Sequence, residues 1–512
     1  MRELLSVSLI AASLAGVAGS AGALGEDHTD HPLGVVDFPI SCSNAARAEF
    51  NHAVALLHHM TYPQARDAFR QVAATDPECA MAHWGIAMTL FQPLWPTRPG
   101  PQALRQGWDA VQTAKELHPP TARERLFVAA AEAFFLEPAS ADYWLRIRRW
   151  GEAQQKVHDA FPADDDAAAF HALAILATAP SDRIAREPSD RAAALLLRVY
   201  RRNPDHPGAM HYLIHANDIP GREHELLDVT RKYQAAAPDN PHALHMPTHI
   251  FTRLGDWDSV VRGNLRAADA ALGTPAGDRG QYVWDEFPHA IEYLIYAYLQ
   301  QAADVEAAKQ LERLRSTAHL EPTFKTAFHL TSTQARYVLE RHAWEEAAAI
   351  VPREPATLDW DRFSWPEAIA WFARGAAAAH LGRPDEAAAA ARRIAALEAT
   401  AGKAGEELFA RNIRVLRLEL DAWLAHARSQ GEAGVALMRE ASKLEASTPK
   451  HAVTPAPTLP ADEQLGAARA AGAMGDGAAA QAYYRQLLDL AEHGTRREPL
   501  DEARSRLAAS RP

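Results

Sequence analysis

The stretch NPDHPGAMHYLIHAND (203–218) decides the fold, because a second version of it, APDNPHALHMPTHIFT (237–252), follows one fixed interval later. Pro204, Asp205, Pro207, Ala209, His211 and His215 recur 34 residues on as Pro238, Asp239, Pro241, Ala243, His245 and His249. A period of this length houses one helix–turn–helix unit, which cannot bury its apolar face alone and must stack on neighbours. Outward from this pair the chain keeps the same character. After residue 40 it is rich in Ala, Leu, Glu and Arg, apolar positions recur every three or four residues, and alternating β-branched runs are missing. Helical segments of about 12–18 residues alternate with breaks such as DPEC (76–79), DIPG (218–221) and LGDWD (254–258). The pattern predicts an all-α array of antiparallel helical hairpins over 44–447, six or seven of them.

The chain has 512 residues and a net charge of −12, with 24 His and two Cys. The acidic balance argues against a nucleic-acid partner, which calls for a basic patch. Two cysteines exclude a disulfide-dense scaffold and multi-Cys metal motifs. Residues 1–23 read as a signal peptide, with Arg2, an apolar run from Leu4 to Ala18 and Ala21-Gly22-Ala23 as the cleavage site. No other stretch is apolar enough to span a membrane. The expectation is a protein exported across the inner membrane, to the periplasm. In such a compartment Cys42, before the first helix (44–60), and Cys79, after the second (62–75), are expected to pair, since a hairpin sets those two ends side by side. Residues 24–43 form an N-terminal extension, FQPLWPTRPGP (91–101) an insertion, and TPKHAVTPAPTLPAD (448–462) a Pro-rich linker. Residues 463–512 complete the chain with a last hairpin and cap.

QARDAFRQVAATDP (64–77) resembles the second half of a tetratricopeptide repeat, with Ala65, Phe69 and Pro77 near that family's small, aromatic and terminating positions. LGDWDSV (254–260) and LGRPDEA (381–387) resemble its inter-helix turn. CAMAHWGIA (79–87) and HALHMPTHIF (242–251) are similar to segments of an exported bacterial type of tetratricopeptide protein. The resemblance implies a right-handed solenoid, a superhelix whose first helices line a concave groove that takes a peptide or a protein partner.

Seven of the histidines lie between 206 and 249. His211/His215 and His245/His249 are spaced four apart, on one helix face each. The one-repeat offset sets them on neighbouring first helices about 8–10 Å apart, where four imidazoles can converge. Imidazole suits Cu and Zn. His83 and His289 hold similar places in other first helices, and Asp218, Asp285 and Glu292 are carboxylates able to orient ring N–H groups. His58, His59, His171 and His329 fit packing roles better. Pro247 should delete a helix hydrogen bond and re-aim His245, weakening the four-apart geometry of that pair. Trp95 and Trp284, near Pro- and Gly-rich loops, are expected to wall the groove, the other aromatic candidates lying mostly in the core.

No GxxxxGK[ST], GxSxG, HExxH or GxGxxG pattern occurs, so no nucleotide or flavin cofactor is expected. Two readings stand ahead of a third, a purely structural solenoid in an assembly, which makes no use of the histidines. One is an exported solenoid with a histidine-ligated Cu or Zn site, acting on a small molecule. The other is a scaffold that binds an envelope protein or peptide, its histidines forming a structural network.

Overall fold

The computed structural model describes residues 32–94, 98–136, 142–180, 182–277, 279–457, 477–490 and 498–509. The signal segment, Trp95 and much of the C-terminal hairpin (463–476, 491–497 and 510–512) lie outside them. The described chain is all-α apart from a two-residue hairpin, Pro275–Ala276 with Tyr282–Val283.

Helix follows helix across short turns, so consecutive elements pack as antiparallel pairs. Ten such pairs precede residue 448, from Asn44–His58 with Tyr62–Thr75 to Glu407–Ala427 with Gly431–Ser447. The higher number has a local cause. Helices as short as Ala80–Met88 and turns without Pro or Gly, such as Gln301–Ala303, divide stretches that look continuous in sequence. Ala302 makes that turn at φ +52° with no glycine to mark it. In the central repeats the expected punctuation is present. His206 and Asn240 cap their helices by accepting from Ala209 N and Ala243 N, and Pro207 and Pro241 take the first helical position.

First helices pack on first helices of the following pair, and the array curls back on itself. Asn44–His58 touches Pro207–Asn217, and Gly208 is a glycine because a Cβ there would lie 2.4 Å from the His58 ring. Later, Trp144 Nε1 donates to Gly405 O (3.2 Å) and Arg98 pairs with Glu406 at 2.6 Å, joining segments far apart in sequence. Cys42 and Cys79 are joined by a disulfide with Cα atoms 4.9 Å apart, and Ser43 N donates to Asp76 Oδ2 beside it. No helix among the described residues is long and apolar enough to cross a membrane.

Thr448–Pro457, within the expected linker, is non-helical but folded against the array. Val453 is fully buried in the C-terminal core, next to Ala452 on the N-terminal core. The Pro content stops the helix, and two small apolar residues seat the segment.

Candidate metal centre

Three clusters of convergent donors occur among the described residues: His211/His215/His242, His245/His249/His289 and His58/Asp166/His206, each with its donor atoms within 4.8 Å of one another. Where each ring places its proton separates the first two from the third.

His211 and His215 lie one turn apart on Pro207–Asn217, and their Nε2 atoms meet at 3.0 Å. His211 donates Nδ1–H to the His58 carbonyl (2.6 Å), which can only accept, so its Nε2 carries the lone pair. His242 approaches that Nε2 with its own at 3.2 Å, and its Nδ1 faces Glu286 Oε1 at 3.1 Å. Burial pushes Glu286 up, but the Lys325 ammonium and His242 outweigh it and hold the carboxyl well below its usual range. An ionised Glu286 can only accept, so it takes the His242 Nδ1–H, and an uncharged His242 would turn a bare Nε2 to His211.

The second group repeats this. His245 Nε2 meets His249 Nε2 at 3.0 Å. Asn264 spends its amide N–H on Val260 O, so its Oδ1 accepts from His245 Nδ1 at 2.7 Å. His249 donates Nδ1–H to Asp218 Oδ2 at 2.9 Å. Burial raises Asp218 too, and Lys450 and Arg253 outweigh it, so the carboxylate stays ionised. His289 Nδ1 sits 3.0 Å from His329 Nε2, and His329 turns Nδ1 to Glu292, so the chain of donors leaves Nε2 as the unprotonated nitrogen of His289. Burial, then the Lys450 charge, pulls His249 down to about 4, and burial with neighbouring rings holds His211, His215, His245 and His289 well below 6.5. At neutral pH these rings are uncharged, and between His245 and His249 two lone pairs face each other at contact distance.

The third cluster has no such conflict. His206 accepts from Ala209 N with Nδ1 and points Nε2–H at Asp166 (3.4 Å). His58 donates Nε2–H to the same carboxylate at 2.9 Å, and its Nδ1 lies 3.1 Å from the Tyr212 hydroxyl. His59 is satisfied likewise, between Tyr233 Oη and Leu33 O. These are structural histidines.

Pro247 does interrupt the helix, dividing Pro241–His245 from Pro247–Leu254. It does not re-aim His245. Met246 keeps helical angles (φ −52°, ψ −41°), so the two rings meet as closely as His211 and His215 do. His83 is part-buried in Ala80–Met88 and joins none of the three clusters. Asp285 faces Lys325 (2.9 Å) and Thr323, while its neighbour Glu286 reaches the histidine. Glu292 acts one ring removed, through His329. Trp284 is buried beside the Lys325 ammonium, 5.9 Å from its ring centre. Sequence reasoning missed His242 and Glu286. The signal for His242 was its position three residues before His245, which shares a helix face.

No protein-family model matches the chain, and no curated protein matches it either. Among solved structures it is similar to Naa15/Naa10 bound to HypK-THB, at 13% identity and a TM-score of 0.24, covering 90% of this chain and 66% of that one. It is also similar to the APC/C hetero-tetramer Cut9–Hcn1, at 11% identity and a TM-score of 0.32, covering 91% and 89%. The chain thus spans just under two thirds of the first of these.

Proposed function

We propose that the protein is an exported, tetratricopeptide-like solenoid that holds copper or zinc on its two groups of three imidazoles, one ion per group. The observation that carries this is the Nε2–Nε2 approach of His245 and His249 at 3.0 Å, between rings whose Nδ1 protons are committed to Asn264 and Asp218. Two lone pairs at that distance repel. Two nitrogens each about 2.0–2.1 Å from one ion lie about 2.8–3.4 Å apart, so a cation turns the repulsion into ligation. Nδ1–H bonds to carboxylate, amide and carbonyl oxygens are the support that metal-bound histidines use. Rings held neutral by burial supply lone pairs without releasing protons. His215, half-buried where the other five are buried, marks the side from which a small molecule reaches the ions. Copper there would support oxidation and zinc the activation of water. The Cys42–Cys79 disulfide supports export to an oxidising compartment such as the periplasm.

The test is elemental analysis of protein purified without a histidine tag. About two ions per chain are expected, one for each three-imidazole group, and fewer than about a fifth of that in a His211→Ala/His245→Ala variant. Wild-type protein with no more metal than the variant sinks the proposal. The protein-binding reading draws support from a separate observation, the non-helical Thr448–Pro457 lodged against the groove residues Tyr293 and Arg336.

A further inference from the structure

The same segment bears on how the histidines are reached. Lys450 extends its ammonium to Asp218 Oδ2 (2.8 Å) and lies 3.5 Å from His249 Nδ1. It therefore sits on the carboxylate that orients a proposed ligand. The Tyr293 hydroxyl, itself 3.3 Å from the His249 ring, meets Thr454 O at 3.4 Å. Arg336, on Phe324–Leu339, donates to Pro457 O (2.7 Å) and Ala456 O (3.0 Å). His451 faces Trp365 and Phe409 edge-on, with ring centres 6.1 and 5.9 Å away. Side chains of the array thus hold the backbone of a passing peptide, while Val453 fills an apolar socket.

This is how a groove grips a ligand rather than how a helix joins an array. Three carbonyls accept from groove side chains, whereas the segment's own contacts are local, such as Val453 N to His451 Nδ1 (3.0 Å) and Thr454 N to His451 O (3.2 Å). Among the described residues no backbone ladder ties it down. The attachment among the described residues is one ion pair, three carbonyl contacts, the buried Val453 and Pro455, Ala452 on the N-terminal core and the His451 ring. Lys450 is also seated close to Arg253, a like charge bound to the same carboxylate at 2.5 Å. That mixture holds a segment in place and lets it leave.

We propose that Thr448–Pro457 is a displaceable internal ligand of the groove, a strap that covers the His245/His249/His289 group when seated. A partner segment of the same chemistry, a lysine followed closely by a small apolar residue and prolines, takes its place and uncovers the imidazoles. The covering function rests on the metal reading above, while the peptide-binding surface does not.

The experiment uses the full chain carrying Lys450→Glu and Val453→Asp, with its helicity checked by circular dichroism. A fluorescent peptide of sequence TPKHAVTPAP (448–457) is titrated into the variant and the wild type and followed by anisotropy. Binding at least tenfold tighter to the variant is expected, because the wild-type groove is already filled. Equal binding by both folded proteins overturns the strap. In a second arm both are loaded with Zn2+ and challenged with a chromogenic chelator. The variant should release metal at least tenfold faster, and equal rates overturn the covering role. Wild-type protein that takes up no zinc defeats the metal reading alone, leaving the peptide arm decisive. Should the double variant not fold, Lys450→Gln supplies the same comparisons.

Discussion

His58 and His245 are both fully buried, yet replacing them should have different consequences. His58 ties Asp166 to Tyr212, and its loss strips the buried carboxylate of its nearer partner. His58→Ala should cost about 3 kcal/mol of stability and leave metal content unchanged. His245→Ala removes one side of a lone-pair contact with His249, which offsets part of the cost of losing the bond to Asn264, so in chelator-treated protein it should cost less than His58→Ala while abolishing metal at its group. Urea denaturation beside elemental analysis separates the two. The sequence distinguished these roles only in part. Spacing exposed His211/His215 and His245/His249, because four-apart positions share a helix face. The partners that choose each tautomer, Asn264, Glu286 and the His58 carbonyl, come from other elements and leave no trace in local spacing.

Between elements, close approach sets the demands. Pro207–Asn217 meets Asn44–His58 at Gly208, where an added methyl would overlap His58 Nδ1 at 2.4 Å. Gly208→Ala should therefore destabilise by about 1–3 kcal/mol and lower the midpoint of thermal denaturation. Pro247→Ala should change stability by less than about 1 kcal/mol and keep metal content, since Pro247 occupies a first helical turn whose N–H needs no intrahelical partner. The Cys42–Cys79 bond spans a separation of 37 residues, and Cys42→Ser/Cys79→Ser should cost about 2–4 kcal/mol in denaturant titrations. Element type was readable from composition and period throughout. Element number was not, because a turn such as Gln301–Ala303, with Ala302 at φ +52°, carries no Gly, Pro or Asn to announce it.

Across the whole molecule the buried histidines make acid the weak side. His59 and His451 are pulled from 6.5 to about 3, chiefly by burial. A folded value below the unfolded one means that the unfolded chain binds the extra protons. Stability is then complete above about pH 6.5 and declines as pH falls towards 3, at about 1.4 kcal/mol per unit for each residue. Midpoints in urea between pH 7 and pH 4.5 should fall steeply, and pH-independent midpoints would contradict this account. The echo at 203–252 indicated stacked hairpins but not their closure, because contacts such as Trp144 to Gly405 join residues with no sequence relation. That closure has a consequence in time. The imidazoles at 211–329 are synthesised more than a hundred residues before Lys450 and Val453, an interval on the order of ten seconds. On the proposed reading, a chain whose strap has not yet formed would offer the histidines to any passing ion, so the order of synthesis would set whether loading is a race against closure or an event that waits for reopening.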